Sequence, residues 1–212
     1  MGGFVLSEAL DWKVSLPAPS TPGDPDAPLF SRLAAGDETA LGPLMARHGP
    51  RLRVLARRMT GRTDEAEDIV QEAFVAIWRR AARIDPDKAP IAAYLTRAVV
   101  NRCIDRARRQ RIRRLIGLES APEIEDDAPG AEQIVAARGE MRAVARDLAD
   151  LPARQRAAIL LASSGDLTVA EVAASMDLSV GATEQLLVRA RRTLRRRALE
   201  RLGADADREV GP

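Results

Sequence analysis

A chain of 212 residues with 46% hydrophobic content can bury one large or two small cores, but at 3% aromatics those cores must be aliphatic. Its 33 basic and 31 acidic residues leave a net charge of +2, which excludes a uniformly basic protein and makes the placement of charge the informative quantity. One cysteine and one histidine exclude a disulfide framework and a Cys/His zinc site; with no long apolar run and no signal pattern, we expect no cofactor, no metal, no membrane insertion and a cytoplasmic location.

Residues 1–27 are expected to form a disordered tail, because Pro17, Pro19, Pro22 and Pro25 crowd it together with Ser, Gly and Asp. Helical periodicity then takes over. A short helix is predicted over 28–35, broken at Gly36-Asp37. A second runs over 38–59, with a kink expected at Gly49-Pro50 and a stop at Gly61. Asp64 is expected to cap a third, with Glu67 completing a capping box and Ala66, Ile69, Val70, Ala73 and Ile77 forming its apolar stripe. Asp85-Pro86-Asp87 reads as a loop, followed by a long helix over 90–114 with Leu95, Ala98, Val99 and Ile104 inward. Residues 116–133 carry Pro122, Pro129, Gly130 and a run of acids, and read as a flexible acidic linker. A helix over 134–150 opens a second domain, and Leu151-Pro152 restarts the chain with Pro at a first helical position. The architecture expected is all-α: two small helical domains, 28–115 and 134–200, joined by the linker and followed by a tail, 201–212.

The second domain carries a helix-turn-helix pattern. Thr168 and Glu171 form a capping box preceded by Leu167, a helix follows to about Met176, Asp177-Leu178-Ser179 make a turn, and Ser179 can cap a last helix from Val180 to about Leu199. In that last helix Val180, Thr183, Leu187, Ala190 and Leu194 fit one buried stripe. Gly181, Ala182, Glu184, Gln185, Val188, Arg189 and Arg192 then face outward, where Gln185 can read adenine, Glu184 can accept from cytosine and Arg189 suits guanine or phosphate. Helical hairpins with a basic face are also common as plain structure.

Charge segregation adds to this reading. Residues 102–114 hold seven arginines, residues 189–201 hold seven more, and residues 115–137 between them hold six acids and no Lys or Arg. Two basic blocks at the ends of predicted helices suit two contacts on one polyanion, with double-stranded DNA the expected one. A GC-rich genome also favours arginine over lysine, so the clustering and not the abundance carries the argument.

Taken together, these segments resemble the group IV (extracytoplasmic-function) sigma factors of bacterial RNA polymerase. The resemblance runs over about 29–199. It rests on the stretch from Asp64-Glu65-Ala66-Glu67-Asp68 through Phe74 to Trp78, on Tyr94-Leu95-Thr96-Arg97 through Asn101 and Asp105, and on Leu151-Pro152, Arg154-Gln155, Glu171-Val172-Ala173 and Arg189-Ala190-Arg191 in that order. It implies a promoter-specificity subunit without catalysis of its own. Its partners would be core RNA polymerase (the β′ and β subunits), promoter DNA and an anti-sigma factor that holds it inactive. By position, Asp68, Gln71, Glu72, Phe74 and Trp78 would bind the polymerase. Tyr94, Arg97, Asn101, Arg102, Arg106, Arg108 and Arg109 would meet the opened −10 element, and Gly181, Glu184, Gln185, Val188, Arg189 and Arg192 the −35 duplex.

The chain departs from the pattern at Tyr94, where many relatives have tryptophan, at Ile84, where an aromatic is frequent, and at Glu184-Gln185-Leu186, where basic residues are frequent. Its −35 base preference therefore does not follow from the resemblance. Competing readings are a stand-alone helix-turn-helix regulator, which would bind duplex without polymerase, and a sigma-like decoy that sequesters an anti-sigma factor. The two arginine blocks argue against the decoy. Cys103, set among Val99, Val100 and Ile104, is expected to be a buried structural thiol.

Overall fold

In a computed structural model, the described residues are 24–84, 90–115, 134–165 and 167–209. They form eight α-helices and no strand: α1 (Ala27–Ala34), α2 (Leu41–Thr60), α3 (Thr63–Arg80), α4 (Ile91–Leu115), α5 (Ile134–Ala149), α6 (Ala153–Ala162), α7 (Val169–Met176) and α8 (Val180–Glu209). Single 3-10 turns precede α2 and follow α3. The expected loop at Asp85-Pro86-Asp87, the acidic linker and the first 23 residues of the expected tail lie outside the described residues.

Local signals account for most helix ends. Gly61 closes α2 in the left-handed region, at φ 79°, where a side chain would be strained. α2 runs through Pro50 as one continuous helix. The capping box at α7 is complete: the Glu171 N–H donates to Thr168 Oγ1 at 3.1 Å, and the Thr168 N–H donates to Glu171 Oε2 at 2.7 Å. Ser179 caps α8 by accepting from the Ala182 N–H at 3.2 Å.

Four expectations need correction. α3 starts at Thr63 with Arg62 as its cap residue, so Asp64 lies inside the first turn and forms no capping box with Glu67. Its carboxylate instead accepts from the Arg62 guanidinium and from the Glu65 N–H, which hold it below the usual carboxylate range. Pro152 is itself the cap residue of α6, one position before the helix. α8 continues to Glu209, beyond the expected end near Leu199 and into the expected tail. Residues 24–26, assigned to the disordered tail, are structural. Asp26 is 2% exposed, accepts from the Arg47 guanidinium, and has its Oδ2 2.6 Å from His48 Nε2. Asp24 accepts from the Ile91 N–H at 2.6 Å, so a residue before α1 holds the first turn of α4.

The apolar stripes converge. Ala66, Ile69, Val70, Ala73, Phe74 and Ile77 of α3 face Leu44, Leu52, Ala56 and Met59 of α2 and Leu95 and Val99 of α4. In the second half, α6 is buried along its whole last turn and a half, Ala157 through Ala162, because α2, α4, α7 and α8 all pack on it. The two halves therefore touch: α4 packs on α6 and α7, and α2 on α5 and α6, and buried residues of both halves form one continuous apolar cluster.

Candidate nucleic-acid and polymerase interfaces

α8 presents the residues expected to read duplex. Thr183, Leu187 and Ala190 are buried against α7 and α6, and Leu194 packs partly on the same core. Gly181, Ala182, Glu184, Gln185, Val188, Arg189 and Arg192 are all exposed, on one side of the helix. The stripe fails at one position: Val180 is 46% exposed, because it opens the helix beyond the reach of the core. A Cβ on Gly181 would meet nothing within 4 Å, so the fold does not require glycine there.

The second arginine block is divided. Arg197 lies 2.8 Å from Asp150 and 3.7 Å from Asp147, and Arg201 also pairs with Asp147. These two arginines bind α8 to α5. Arg189 and Arg192 lie nearer the helix start, where a recognition helix meets base edges.

On α4, Tyr94, Arg97, Asn101, Arg102 and Arg109 line one open cleft with Ile84 and Glu72. Arg108 is exposed beyond it. Arg102 and Arg106 are engaged within the fold: Arg102 lies 3.5 Å from Glu72, and Arg106 lies 3.5 Å from Glu65. Glu65 also accepts from Gln110 Nε2 at 3.0 Å, and so joins two successive turns of α4 to the start of α3. Sequence reading missed Glu65, since its partners lie some 40 residues away.

On α3, Asp68, Gln71 and Glu72 are exposed and share a groove with Val75, Ala76 and Arg79, closed on one side by Arg102. Val75 and Arg79 were also missed, although they continue the Asp68 face at helical spacing. Phe74 must be removed from this surface. At 1% exposure its ring belongs to the core, because α3 buries a stripe two residues wide and Phe74 follows Val70 by one turn. Trp78 is half-buried and packs on the edge of the same core.

Cys103 is buried, and desolvation pushes its thiol up to about 12. Among the described residues no His, Cys, Asp and Glu cluster could hold a metal ion, and no helix is long and apolar enough to cross a membrane.

Comparison with known proteins is consistent with this geometry. The family model for sigma-70 region 2 matches residues 44–113, and that for sigma-70 region 4 matches residues 141–194. The RNA polymerase sigma factor CnrH of Cupriavidus metallidurans is 38% identical over 180 residues, covering 82% of this chain and 94% of that protein. The ECF RNA polymerase sigma factor SigM of Mycobacterium tuberculosis is 32% identical over 171 residues, covering 81% and 83%. The chain belongs to the extracytoplasmic-function sigma factors. It is thus a promoter-specificity subunit that binds core RNA polymerase and promoter DNA for transcription initiation. The solved structure of CnrH in complex with the cytosolic domain of CnrY matches this sigma factor with a TM-score of 0.59 at 33% identity, over 85% of this chain and 98% of that one. A Bartonella quintana sigma factor solved with the anti-sigma factor NepR has the same fold, with a TM-score of 0.58 at 21% identity, over 74% of this chain and 95% of that one.

Proposed function

We propose that this sigma factor docks on polymerase through the α3 groove, with Asp68, Gln71 and Glu72 at its centre and Trp78 at its edge. The opened −10 strand then lies in the α4 cleft. Tyr94 and Asn101 meet bases there, and Arg97, Arg108 and Arg109 meet phosphates, while Arg102 and Arg106 hold α4 to α3 through Glu72 and Glu65. The −35 duplex takes α8 in its major groove, read by Glu184, Gln185, Arg189 and Arg192, with Val188 in apolar contact and Gly181 admitting close backbone approach. The observation that carries this reading is the exposure of all these α8 residues beside the buried Thr183, Leu187 and Ala190. The sigma factor has no catalysis of its own and works in the cytoplasm, where the polymerase is.

Control by an anti-sigma factor is part of the proposal. Two solved relatives are held in complexes with CnrY and NepR. Met141 and Val144 on α5, with Leu199 and Leu202 on α8, leave exposed apolar surface of the kind an amphipathic helical partner covers.

The test is run-off transcription with core polymerase on promoter fragments. Asp68→Arg should abolish polymerase binding and leave the helical content unchanged. Gln185→Ala should alter −35 preference by roughly 1–3 kcal/mol per contacted base and leave polymerase binding intact. Equal DNA affinity with and without polymerase would instead favour a stand-alone regulator.

A further inference from the structure

α4 begins where its own sequence offers nothing to cap it. The Pro90 carbonyl accepts from the Ala93 N–H at 2.9 Å and from the Tyr94 N–H at 3.4 Å, which makes Pro90 the cap residue. Lys88-Ala89-Pro90 holds no side-chain acceptor for the free N–H groups of the first turn. The Ile91 N–H donates instead to Asp24 Oδ2 at 2.6 Å, a partner 67 residues earlier in the chain. A carboxylate at this end of a helix is also favoured by the partial positive charge there.

Asp24 is itself held in place. Its Oδ1 accepts from the Asp26 N–H at 3.0 Å, and Pro25 between them fixes one backbone angle. Asp26 is the cap residue of α1, yet its side chain makes no cap bond to that helix. The carboxylate, 2% exposed, turns to α2, where it accepts from the Arg47 guanidinium and lies 2.6 Å from His48 Nε2. The segment Asp24-Pro25-Asp26 is thus pinned to α2 by one carboxylate and reaches α4 with the other. Two acids placed to cap α1 serve other helices.

Both points of support lie beside the −10 cleft. α1 packs on the 3-10 turn that follows α3, and that turn ends at Ile84, which lines the cleft. Asp24 holds the first turn of α4, and Tyr94, three residues after Ile91, lines the cleft from the other side. The 3.4 Å separation of Tyr94 N–H from Pro90 is longer than an ordinary N–H to carbonyl bond, so that turn is weakly closed by its own backbone. Asn101 lies about two turns farther along, where the helix is closed by its own ladder.

We propose that Asp24 is a positioning residue for promoter opening: its carboxylate fixes the first turn of α4 and so the placement of Tyr94 against the opened −10 strand, without touching DNA itself. This rests on the assignment of Tyr94 to the −10 element. Loss of a capping carboxylate shifts the balance between a fixed and a frayed first turn about fivefold. The effect is local. The Asp68, Gln71 and Glu72 groove lies on α3 and the −35-reading face on α8, and Asp24 bonds to neither helix.

The test uses holoenzyme assembled from the full chain and core polymerase. The probe is a single-stranded oligonucleotide carrying the non-template −10 element of a promoter on which the wild type gives a run-off transcript. Asp24→Ala should weaken probe binding about three- to tenfold and leave affinity for core polymerase unchanged. In a Tyr94→Ala background the same substitution should cost less than about twofold, because its effect passes through Tyr94. A merely structural role for Asp24 gives equal losses in both backgrounds. Asp24→Asn keeps one acceptor oxygen, disturbs the turn least, and should show a smaller loss with the same dependence on Tyr94. If Tyr94→Ala weakens probe binding while Asp24→Ala does not, or if the two losses multiply independently, the positioning role falls and the −10 assignment stands. If Tyr94→Ala leaves probe binding unchanged, the −10 assignment of Tyr94 falls and the positioning role with it.

Discussion

At the scale of single residues, burial decides roles that side-chain type leaves open. Phe74 and Trp78 are one helical turn apart and look equally suited to a partner helix, yet Phe74 is in the core and only Trp78 reaches the surface. Cys103 shows the same effect as a titration. Its thiol is pushed up to about 12 by desolvation, whereas an unfolded cysteine ionises near ~8.5. Between those values the unfolded chain has released a proton that the folded chain still holds, so stability must fall as pH rises through that window. Urea unfolding at pH 7.5 and pH 10 should show this loss in the wild type and a smaller loss in Cys103→Ala. Identical pH dependence in the two proteins would mean that the thiol is not buried in solution.

At the scale of elements, the informative contrast is between the two predicted capping boxes. Thr168/Glu171 forms one because the chain enters α7 from an extended residue, with ψ 160° at Thr168, so the hydroxyl can face the N–H three residues on. Asp64/Glu67 does not, because Arg62 is the extended residue and Asp64 is already helical. We expect Thr168→Ala to destabilise the protein by about 1 kcal/mol, measured by denaturant midpoint, and Glu67→Ala to cost far less. α4 and α6 mark the limit of periodicity reading. A helix packed on several sides has no clean polar face, and its burial pattern reports its neighbours more than its own sequence.

At the scale of the whole molecule, charge placement separates anchors from braces. Of the two arginine blocks, Arg102 and Arg106 brace α4 to α3, and Arg197 and Arg201 brace α8 to α5. Arg108, Arg109, Arg189 and Arg192 remain exposed. Only charges that neutralise phosphates release counterions, so Arg108→Ala should weaken promoter complexes similarly on all sequences and lower the slope of log affinity against log salt by about 1. A change confined to particular −10 sequences would show instead that Arg108 reads bases.

The sequence by itself determined what depends on neighbours a few residues away: the helical class, the Gly61 stop, the Thr168 capping box, and the buried and exposed sides of α8 apart from Val180. Those interactions close over three or four residues, so their partners can be read from spacing. Only the tertiary structure decided the anchoring of α4 by Asp24, the Glu65 hub, the division of each arginine block and the burial of Phe74. Each of these pairs groups brought together by the packing of whole helices, and spacing along a chain carries no record of which distant charge or apolar face will be opposite.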